Sequence, residues 1–519
     1  MTKLYRTDHR NIIKRIIVRG TLVLDTPTCL GTGDADSPTD LPLLRDSLDD
    51  KYALLTGSSI AGALRNYLRE KNKGYGESDR RYDRAVLLFG DLFSYKDEKD
   101  KSEPEKIKLR EDDTQSPLII DDAISTKPIQ SELRDGVKIN SITRTAADKA
   151  KYDLELLQAG TEFAVCFELL IDKKEEDKSK QDVYEAELCK GLAIALQGLE
   201  PKNGSKSGEI CLGMKKRRGF GRCHVKEWQV WNFDLTDASD RMAWLLFDRE
   251  CTNKLPVVTN KIADALGEVL DEGEDRRDRF LIHATFKLVG SLLIRSGQAA
   301  TGRAPDVVHL KSYRPDKPNP ESVLSGTSLA GVLRHRAERI VKTLGSCSPI
   351  VDKLFGYVVG KQSQASRLVV HEKVIEKATE LVQNRIAIDR FTGGAYHGAL
   401  FDEQPIFGGD ETCVTIELEL RQPKEYEIGL LLLLIKDLWT MDLPVGGESS
   451  IGRGRLKGIK ADLIRHHPKE PKGWTIAEAN GSLQVMNLAD PKQSEDLVKD
   501  ELERFVKALL KELGKEVEV

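Results

Sequence analysis

Runs of aliphatic residues alternate with helical spacings in the first half of the chain. Side chains over 12–25 predict a strand, a serine-rich helix start follows at 56–59, and a second strand resumes at 116–121. The largely apolar run over 163–171 predicts a buried strand. Leucines at helical spacing then predict a helix over 185–199.

The second half of the chain repeats this order. Strands are expected over 282–294, 366–372 and 413–420, and a helix is expected over 427–440. Each half thus runs strand, helix, strand, strand, helix, strand. This order predicts an α+β protein built from two ferredoxin-like or RRM-like domains, a fold whose open sheet face often binds RNA.

A duplicated helix start supports the two-domain interpretation. The sequence TGSSIAGALR at 56–65 recurs as SGTSLAGVLR at 325–334, with six identical residues of ten. The arginines that end the two segments are 269 residues apart, which is far too long for a solenoid period and indicates a duplicated domain. A side-chain oxygen of Ser58 or Ser59 is expected to cap the first of these helices.

Charged segments mark the expected boundaries. The segment 89–115 is rich in charge and is expected to form a solvated surface insertion. A second charged run follows an expected helix at 258–270, and the amphipathic spacing at 494–515 predicts a helix that packs on its own domain. The expected division is a first domain 1–235, a linker 236–279, a second domain 280–465 and a C-terminal extension 466–519.

Composition narrows the class of protein. The chain has 519 residues, 39% hydrophobic and 32% charged, which suits a globular protein, and no run is apolar enough to predict a transmembrane helix. The N-terminus lacks the apolar core of a secretory signal, so a cytoplasmic location is expected. Eight scattered cysteines without CxxC spacing argue against a disulfide framework or a zinc ribbon. A net charge of −4 leaves room for a local basic groove.

Carboxylates cluster in a glycine- and proline-rich loop after the first strand. Asp34, Asp36 and Asp40 lie in this loop, and Asp306 lies at the corresponding place in the second copy. A loop aspartate can hold a divalent cation, although aspartates in turns more often cap their own backbone. The recurrence of the loop favours a functional role.

In each half, one basic glycine turn follows the second helix. The first, Lys215–Arg222, packs five cations and an aromatic residue into eight positions, and the second alternates glycine and arginine over 452–455. Glycines allow close approach to a phosphate and arginines clamp it, so RNA or DNA contact is expected, with a solvated hairpin as the alternative.

Motifs for other chemistries are missing. The sequence has no P-loop, no GxSxG and no HExxH. His309 is the one histidine near the aspartate loops, and such a histidine is more often a surface or core residue than a general base.

This ordered set of motifs resembles the RAMP superfamily of CRISPR effector proteins, and in particular the backbone subunits of type III complexes. The resemblance rests on the loop at 30–46, the helix start at 57–65 and the segments 142–145 and 388–395, together with the terminal glycine turns. Having the set twice resembles a tandem fusion of two backbone subunits, as in type III-D-like effectors.

The resemblance implies a guide-RNA-binding subunit that cuts a guide-matched single-stranded target RNA with a divalent metal ion, Mg²⁺ or Mn²⁺. It also implies a β-hairpin thumb in each domain, within 139–162 and 386–408, and contacts with other RAMP subunits and a large effector subunit but not with a membrane. Asp40 best fits the family's catalytic and metal-binding aspartate; Asp306 corresponds to it in the second copy, and Asp34 and Asp36 are alternatives. The implied RNA-binding residues are Arg65, Arg144, Lys215, Lys216, Arg217, Arg218, Arg222, His309, Lys311, Arg334, Arg390, Arg453 and Arg455.

Two other functions remain open from the sequence. The chain could be a scaffold that binds guide RNA while one or both aspartate loops are silent. It could also be a guide-RNA-processing endonuclease, but that activity usually needs a histidine or tyrosine base, and the first loop contains no histidine.

Overall fold

The structure is a computed structural model of the 519-residue chain. The residues that it describes are 11–32, 42–110, 113–140, 142–143, 145–174, 177–202, 204–248, 254–296, 305–345, 348–360, 362–468, 470–479 and 482–515.

The first domain contains nine strands and six helices among the described residues. In chain order they are β1 (Ile12–Leu24), β2 (Leu54–Leu55), α1 (Gly57–Lys73), α2 (Arg84–Phe89), α3 (Glu103–Arg110), β3 (Leu118–Ile120), β4 (Ala123–Ile124), β5 (Ser131–Ile139), β6 (Ala146–Leu157), β7 (Glu162–Asp172), α4 (Lys178–Gln197), β8 (Cys223–Asp234), α5 (Ala238–Leu245), β9 (Val257–Thr259) and α6 (Ile262–Leu266).

The second domain follows the same plan with extra strands at its C-terminal end. Its elements are β10 (Arg279–Val289), β11 (Ser291–Leu292), β12 (Val307–Val308), β13 (Lys311–Ser312), β14 (Glu321–Leu324), α7 (Gly326–Thr343), α8 (Ile350–Phe355), β15 (Tyr357–Val359), β16 (Gln362–Gln364), β17 (Leu368–Val370), β18 (Lys373–Val374), β19 (Thr379–Glu380), β20 (Gln383–Ile388), β21 (Ala395–Gln404), β22 (Ile406–Phe407), β23 (Cys413–Arg421), α9 (Glu425–Trp439), β24 (Arg455–His466), β25 (Lys472–Ala479), β26 (Ser482–Asn487) and α10 (Glu495–Glu512).

The two main sheets have the same topology. The first has the order β3-β7-β1-β8-β9, and the second has the order β17-β23-β10-β24-β25-β26. In each sheet the first four strands are the second, third, first and fourth strands of a β-α-β-β-α-β unit, which is the ferredoxin-like order. The predicted α+β fold of two such domains is therefore confirmed.

Each sheet buries one face under two helices. Val18 of β1 sits opposite Phe167 of β7 and Val230 of β8, and all three side chains are buried. The alternation of buried and half-buried positions along β10 is regular because only one face of this sheet packs on α7 and α9.

Both repeated helices are capped by the hydroxyl residue before the glycine of the repeated sequence, which in the first copy lies two residues before Ser58. The side chain of Thr56, not that of Ser58 or Ser59, accepts a hydrogen bond from the N–H of Ser59 and caps α1. Ser325 caps α7 in the same way. The capping residue needs an extended backbone, and Thr56 has φ −71° and ψ 141°, whereas the two serines already lie within the helix.

The expected linker 236–279 folds onto the first domain. α5 covers an aromatic cluster on β8, β9 extends the first sheet beyond β8, and α6 packs on α4. The expected helix at 258–270 is shortened to Ile262–Leu266 because the residues before it form β9. The insertion 89–115 contains the helix α3 rather than loop alone.

The C-terminal extension completes the second domain. β25 and β26 continue the second sheet beyond β24, and α10 packs along α9. The contact is close, since a Cβ at Gly429 of α9 would lie 2.1 Å from the carbonyl oxygen of Phe505. The prediction that this amphipathic helix packs on its own domain is confirmed.

The two domains meet through buried polar contacts. Arg134 of β5 reaches across to Glu372, with Nη1 2.9 Å from Oε2, and Arg314 binds the same carboxylate at 2.7 Å. Burial alone would raise the pKa of Glu372, but the two guanidinium groups outweigh it and lower that pKa. Tyr75 of the first domain donates to Glu419 of the second at 2.9 Å. Among the described residues, no helix is both long and apolar enough to cross a membrane.

Candidate nucleic-acid interface

The two aspartate loops are held at their ends by the same backbone hydrogen bonds. In the first domain the N–H of Thr32 donates to the carbonyl oxygen of Pro42 at 3.1 Å. In the second domain the N–H of Ser296 donates to the carbonyl oxygen of Val308 at 3.0 Å. The two loops therefore leave and rejoin their domains in the same register.

This register defines which aspartates correspond. Asp40 precedes Pro42 by two residues, and Asp306 precedes Val308 by two residues. The two therefore occupy equivalent places along their loops. The first-loop candidates all fall outside the described residues: Asp34, Asp36 and Asp40.

Asp306 is exposed at the end of its loop, beside the second hairpin. Its Oδ2 accepts a hydrogen bond from the N–H of Asp402 in β21 at 3.0 Å. The following residues form β12, which pairs in parallel with β21 through Val307 and Glu403. The base of the hairpin thus fixes the position of the aspartate, and among the described residues no hydrogen bond to its other carboxylate oxygen is seen.

The donor set around Asp306 limits how a metal ion could bind. Within the described part of the chain, no group of three or more His, Cys, Asp or Glu side chains is arranged to hold one. A single exposed carboxylate suits Mg²⁺, which commonly binds through one or two carboxylates together with substrate phosphates. Asp306 therefore fits a metal ion that arrives with, or is completed by, a phosphate group.

A two-stranded hairpin projects from each domain. β5 pairs with β6, and β20 pairs with β21, so the hairpins span 131–157 and 383–404 rather than the predicted 139–162 and 386–408. The first strands were missed because both faces of a projecting hairpin are largely exposed, which removes the period-2 hydrophobic signal.

Both hairpin tips present an apolar side chain to solvent. Asn140 accepts a bond from the N–H of Ile142 at 2.8 Å, and Asp389 accepts one from the N–H of Phe391 at 2.7 Å. These matching turns hold Ile142 at 85% exposure and Phe391 at 100%. An exposed ring on a tip suits stacking on a nucleobase.

The tip register changes the correspondence between two predicted RNA-binding arginines. Ile139 pairs with Ala146 and Ile388 pairs with Ala395, so the hairpins align without a gap. Arg390 then corresponds to Ser141 and not to Arg144, which lies outside the described residues.

The base of the hairpin is apolar in the first domain and ionic in the second. Leu154 packs with Phe220 in a buried cluster of the first domain. The strand registers of the two hairpins match Leu154 to Glu403, and the shared hydrogen bonds of the glycine turns match Phe220 to Arg453. In the second domain these two residues form an ion pair, with Oε2 of Glu403 2.8 Å from Nη2 of Arg453. Arg453 is 3% exposed, so its assignment as an RNA-binding residue is corrected: it is a buried partner of Glu403.

Further charges surround this ion pair in the second domain. Glu448 has its carboxylate 3.2 Å from Arg453, and it also attracts Arg295 at 3.5 Å and Arg385 at 3.8 Å. The first domain has Lys215 at the position of Glu448, with the same left-handed backbone. The two aspartate loops therefore adjoin chemically different hairpin bases.

The basic turn of the first domain packs against the second domain. Its 3₁₀ turn Lys216–Arg218 brings Arg218 Nη1 to 3.2 Å from the carbonyl oxygen of Leu368, and Arg217 donates to the carbonyl oxygen of Ser366. Burial, with the neighbouring cationic Arg217, lowers the pKa of Arg218 to about 10. Arg217 and Arg218 are thus half-buried in the contact between the domains, and their role in RNA binding stays a prediction.

The remaining cations of this turn divide between structure and solvent. Arg222 forms an ion pair with Glu417 of the second domain at 3.1 Å. Lys215 lies over the ring of Tyr152, 3.7 Å from its centre. Lys216 stays exposed and is the one cation of the turn that keeps the position expected for RNA contact.

The two repeated arginines support the fold. Arg65 donates to Asp79 at 3.0 Å and to the carbonyl oxygen of Gly90 at 3.2 Å. Arg334 donates to the carbonyl oxygen of Gly356 at 2.8 Å, and each glycine ends a short helix, α2 or α8. Both arginines therefore tie a long helix to the next short one, which explains why they recur.

His309 is a core residue and not a contact for RNA. It is 2% exposed, its Nδ1 accepts from the N–H of Ile294 at 3.1 Å, and its Nε2 bonds the carbonyl oxygen of Val323 at 3.2 Å. Burial lowers its pKa to about 4, so the neutral ring persists at ordinary pH. Lys311 nearby pairs with Glu380 at 2.6 Å and keeps only partial exposure.

Three predicted RNA-binding cations are exposed among the described residues: Lys216, Arg390 and Arg455. Arg390 is adjacent to Phe391 at a hairpin tip. No direct sequence signal marks Glu403. Alignment of RGFGR at 218–222 with IGRGR at 451–455 nevertheless sets a phenylalanine against an arginine and so marks a position where the copies differ.

Comparison with known proteins gives one family. The model of the family described as the RAMP superfamily matches residues 21–224 and 285–457, two regions that each contain one loop, one hairpin and one glycine turn. A search of curated proteins finds no match.

Proposed function

This chain belongs to the RAMP superfamily, and from that premise we propose that it is a guide-RNA-binding backbone subunit of a type III CRISPR effector that cleaves guide-matched target RNA. The family indicates a CRISPR-associated RNA-binding subunit. The finer proposal adds a cleavage site at each aspartate loop, with Asp40 in the first domain and Asp306 in the second.

One observation carries this proposal: an exposed aspartate is anchored at the foot of a projecting hairpin. Asp306 is held by the N–H of Asp402, and Phe391 stands fully exposed at the far end of the same hairpin. A ring that stacks between bases would displace a nucleotide from an RNA duplex. The aspartate at the hairpin foot would then face the distorted strand.

Displacement of a nucleotide supplies the geometry for RNA cleavage. The ribose 2′-hydroxyl loses its proton and its oxygen attacks the adjacent phosphorus as the bond to the 5′-oxygen breaks. The departing 5′-oxygen takes up a proton, which leaves a 2′,3′-cyclic phosphate and a 5′-hydroxyl. This reaction needs in-line alignment and charge neutralisation rather than a protein nucleophile. A divalent ion bound by the loop aspartate would neutralise charge on the phosphate.

The loop aspartates are tested by the cut pattern of a guide-matched RNA. Complexes assembled with Asp40→Ala, Asp306→Ala or both are incubated with labelled target, with and without chelator, and the products are resolved at nucleotide resolution. Each single substitution should remove one set of cuts, and chelator should remove all. Asp500→Ala, on the exposed face of α10, is the matched control and should change nothing.

A non-catalytic scaffold is the second candidate. The bond from the N–H of Asp402 to Asp306 favours it, because a carboxylate that caps a backbone N–H already has a structural role. If the doubly substituted complex still makes every cut, the cleavage sites lie elsewhere. Retained guide binding in that complex would then support the scaffold.

A further inference from the structure

The contact between the two domains joins unlike surfaces. The first domain contributes its basic turn, and the second contributes carbonyl oxygens at the end of α8 and along β17. Arg218 lies 3.2 Å from the carbonyl oxygen of Leu368 and 3.4 Å from that of Phe355. Because the domains are copies of one another, a contact of unlike surfaces leaves one surface of each kind open.

The first domain carries the same carbonyl surface. Ser116 donates its hydroxyl to Leu118 O at 2.7 Å, as Ser366 does to Leu368 O at 2.7 Å. A Cβ added at Gly90 would lie 2.6 Å from the backbone nitrogen of Ser116, and a Cβ added at Gly356 would lie 2.6 Å from the backbone nitrogen of Ser366. Phe89, Ser116 and Leu118 thus correspond to the residues that receive the arginines in the second domain.

This surface is more exposed in the first domain than in the second. Ile119 of β3 is 43% exposed, whereas its counterpart Val369 of β17 is 3% exposed beneath the basic turn. A Cβ at Gly326 would lie 2.3 Å from the carbonyl oxygen of Arg218, whereas the atoms nearest to a Cβ at the equivalent Gly57 belong to Ile120 and Asp121 of the first domain itself. The apolar side chain and the helix start that the basic turn contacts in the second domain therefore have no such contact among the described residues of the first.

The open turn of the second domain does not match this surface. Its 3₁₀ turn is Ser449–Ile451, so serine and isoleucine replace Arg217 and Arg218. A Cβ added at Gly219 of the first turn would lie 2.2 Å from the backbone nitrogen of Glu372, because this turn packs on the second domain. A Cβ added at the equivalent Gly452 would have no atom within 4 Å among the described residues. The chain therefore lacks a second pair of arginines with which to bind another copy of itself.

Charge favours a basic occupant. The insertion 91–115 connects Gly90 to Ser116 at the edge of this surface, and it carries nine carboxylates and six cations. Carbonyl oxygens and a surplus of carboxylates together attract guanidinium groups.

We propose that the surface formed by Phe89, Ser116, Leu118, Ile119 and the start of α1 binds the arginine-bearing glycine turn of another RAMP subunit, and that a second copy of this chain does not bind there. The proposal rests on the function proposed above as a backbone subunit, and it specifies the chemistry of the neighbour. The neighbour must supply two consecutive arginines before a glycine in the left-handed conformation, as Arg217, Arg218 and Gly219 do.

The proposal is tested by adding the missing arginine pair to the glycine turn of the second domain. Ser450→Arg combined with Ile451→Arg places two arginines on the open turn of the full-length protein. Sedimentation velocity without RNA should show the wild type as a monomer and the double variant as concentration-dependent oligomers, with the weight-average mass raised about twofold or more. Adding Ile119→Asp should return the variant to monomers, whereas Val183→Asp, at another exposed apolar position, should not.

Each result bears on the proposal. No association of the arginine variant, or association that Ile119→Asp leaves intact, would overturn it. Wild-type oligomers that Ile119→Asp dissolves would show that the occupant is a second copy and would overturn the assignment of the partner. Circular dichroism and thermal unfolding identify any variant that fails to fold. Because the assay contains no RNA, its failure leaves the cleavage test of Asp40 and Asp306 unaffected.

Discussion

Arg134 of the first domain and Glu372 of the second form a two-pronged ion pair, with nitrogen–oxygen distances of 2.9 and 3.3 Å. The two side chains are 6% and 0% exposed, so the pair is closed off from solvent. It connects the base of the first hairpin to the residues that follow β17 in the second domain. The position of that hairpin therefore depends on contact between the domains.

Removal of this carboxylate should destabilise the protein strongly. Glu372→Ala removes the carboxylate that Arg134 and Arg314 share and leaves Glu132 as the remaining anion beside Arg134. A broken buried pair costs about 3–5 kcal/mol of unfolding free energy. Denaturant unfolding measures the loss. Lys151→Ala, which breaks the exposed pair with Asp135, is the control and should leave the unfolding midpoint unchanged. An equal effect of both variants would contradict the structural role of Glu372.

The ionic base of the second hairpin predicts a compensated double substitution. Arg453→Phe alone leaves Glu403 buried without its closest partner and should lower the unfolding free energy by about 3 kcal/mol. Adding Glu403→Leu restores the apolar pair that the first domain has as Phe220 and Leu154, so most of the loss should be recovered. A double variant as unstable as the sum of the single ones would show that the two positions are not coupled.

Acid should destabilise the chain through buried His309. The unfolded histidine has a pKa near 6.5, while burial lowers the folded value to about 4. The unfolded state then binds more protons below pH 6.5, so stability is complete above that pH and falls as pH decreases toward 4, by about 3 kcal/mol in all. Unfolding midpoints across this range measure the fall.

The same histidine offers a direct spectroscopic check. In the folded protein, the ring resonances of His309 should stay unchanged between pH 7 and 5. They are assigned by comparison with His309→Gln. A ring that titrates near pH 6.5 would contradict its burial between Ile294 and Val323.

The hairpin tip should contribute to RNA affinity. Loss of a base-stacking ring costs about 1–3 kcal/mol, so Phe391→Ala should weaken guide-RNA binding about tenfold. Arg390→Ala should weaken it and reduce the salt slope by about 0.7 if the arginine contacts one phosphate. Arg504→Ala, an exposed arginine on α10, is the matched control. Unchanged affinity in both tip variants would exclude the tip from the RNA-binding surface.

Periodicity and repetition were sufficient to predict much of this structure. Strands such as β10 and β23 alternate because one sheet face is buried, and α1 and α7 bury residues at helical spacing because one side of each helix packs on the core. The copy of the helix start predicted the duplicated domain. Alignment of the two copies also matched Asp306 to Asp40, and the hydrogen bonds that flank the two loops preserve this correspondence.

The roles of the arginines could not be predicted in this way. A guanidinium group donates equally well to a phosphate and to a backbone carbonyl, so the sequence around Arg217 and Arg218 does not reveal which one it meets. The deciding fact is the position of β17, more than 140 residues later in the chain. Glu403 was missed because a buried carboxylate has no periodic signal of its own.

The contact of the basic turn with β17 also bears on the ratio and order of the two domains in an assembly. Because the first domain's neighbour is part of the same polypeptide, this contact forms at a high effective concentration and needs no encounter between separate molecules. Any assembly that includes this chain must contain the two domains in equal numbers. In every copy of the chain, the domain with the Leu154–Phe220 hairpin base is joined to the domain with the Glu403–Arg453 base. The order of these two domains is therefore set when the chain is synthesised.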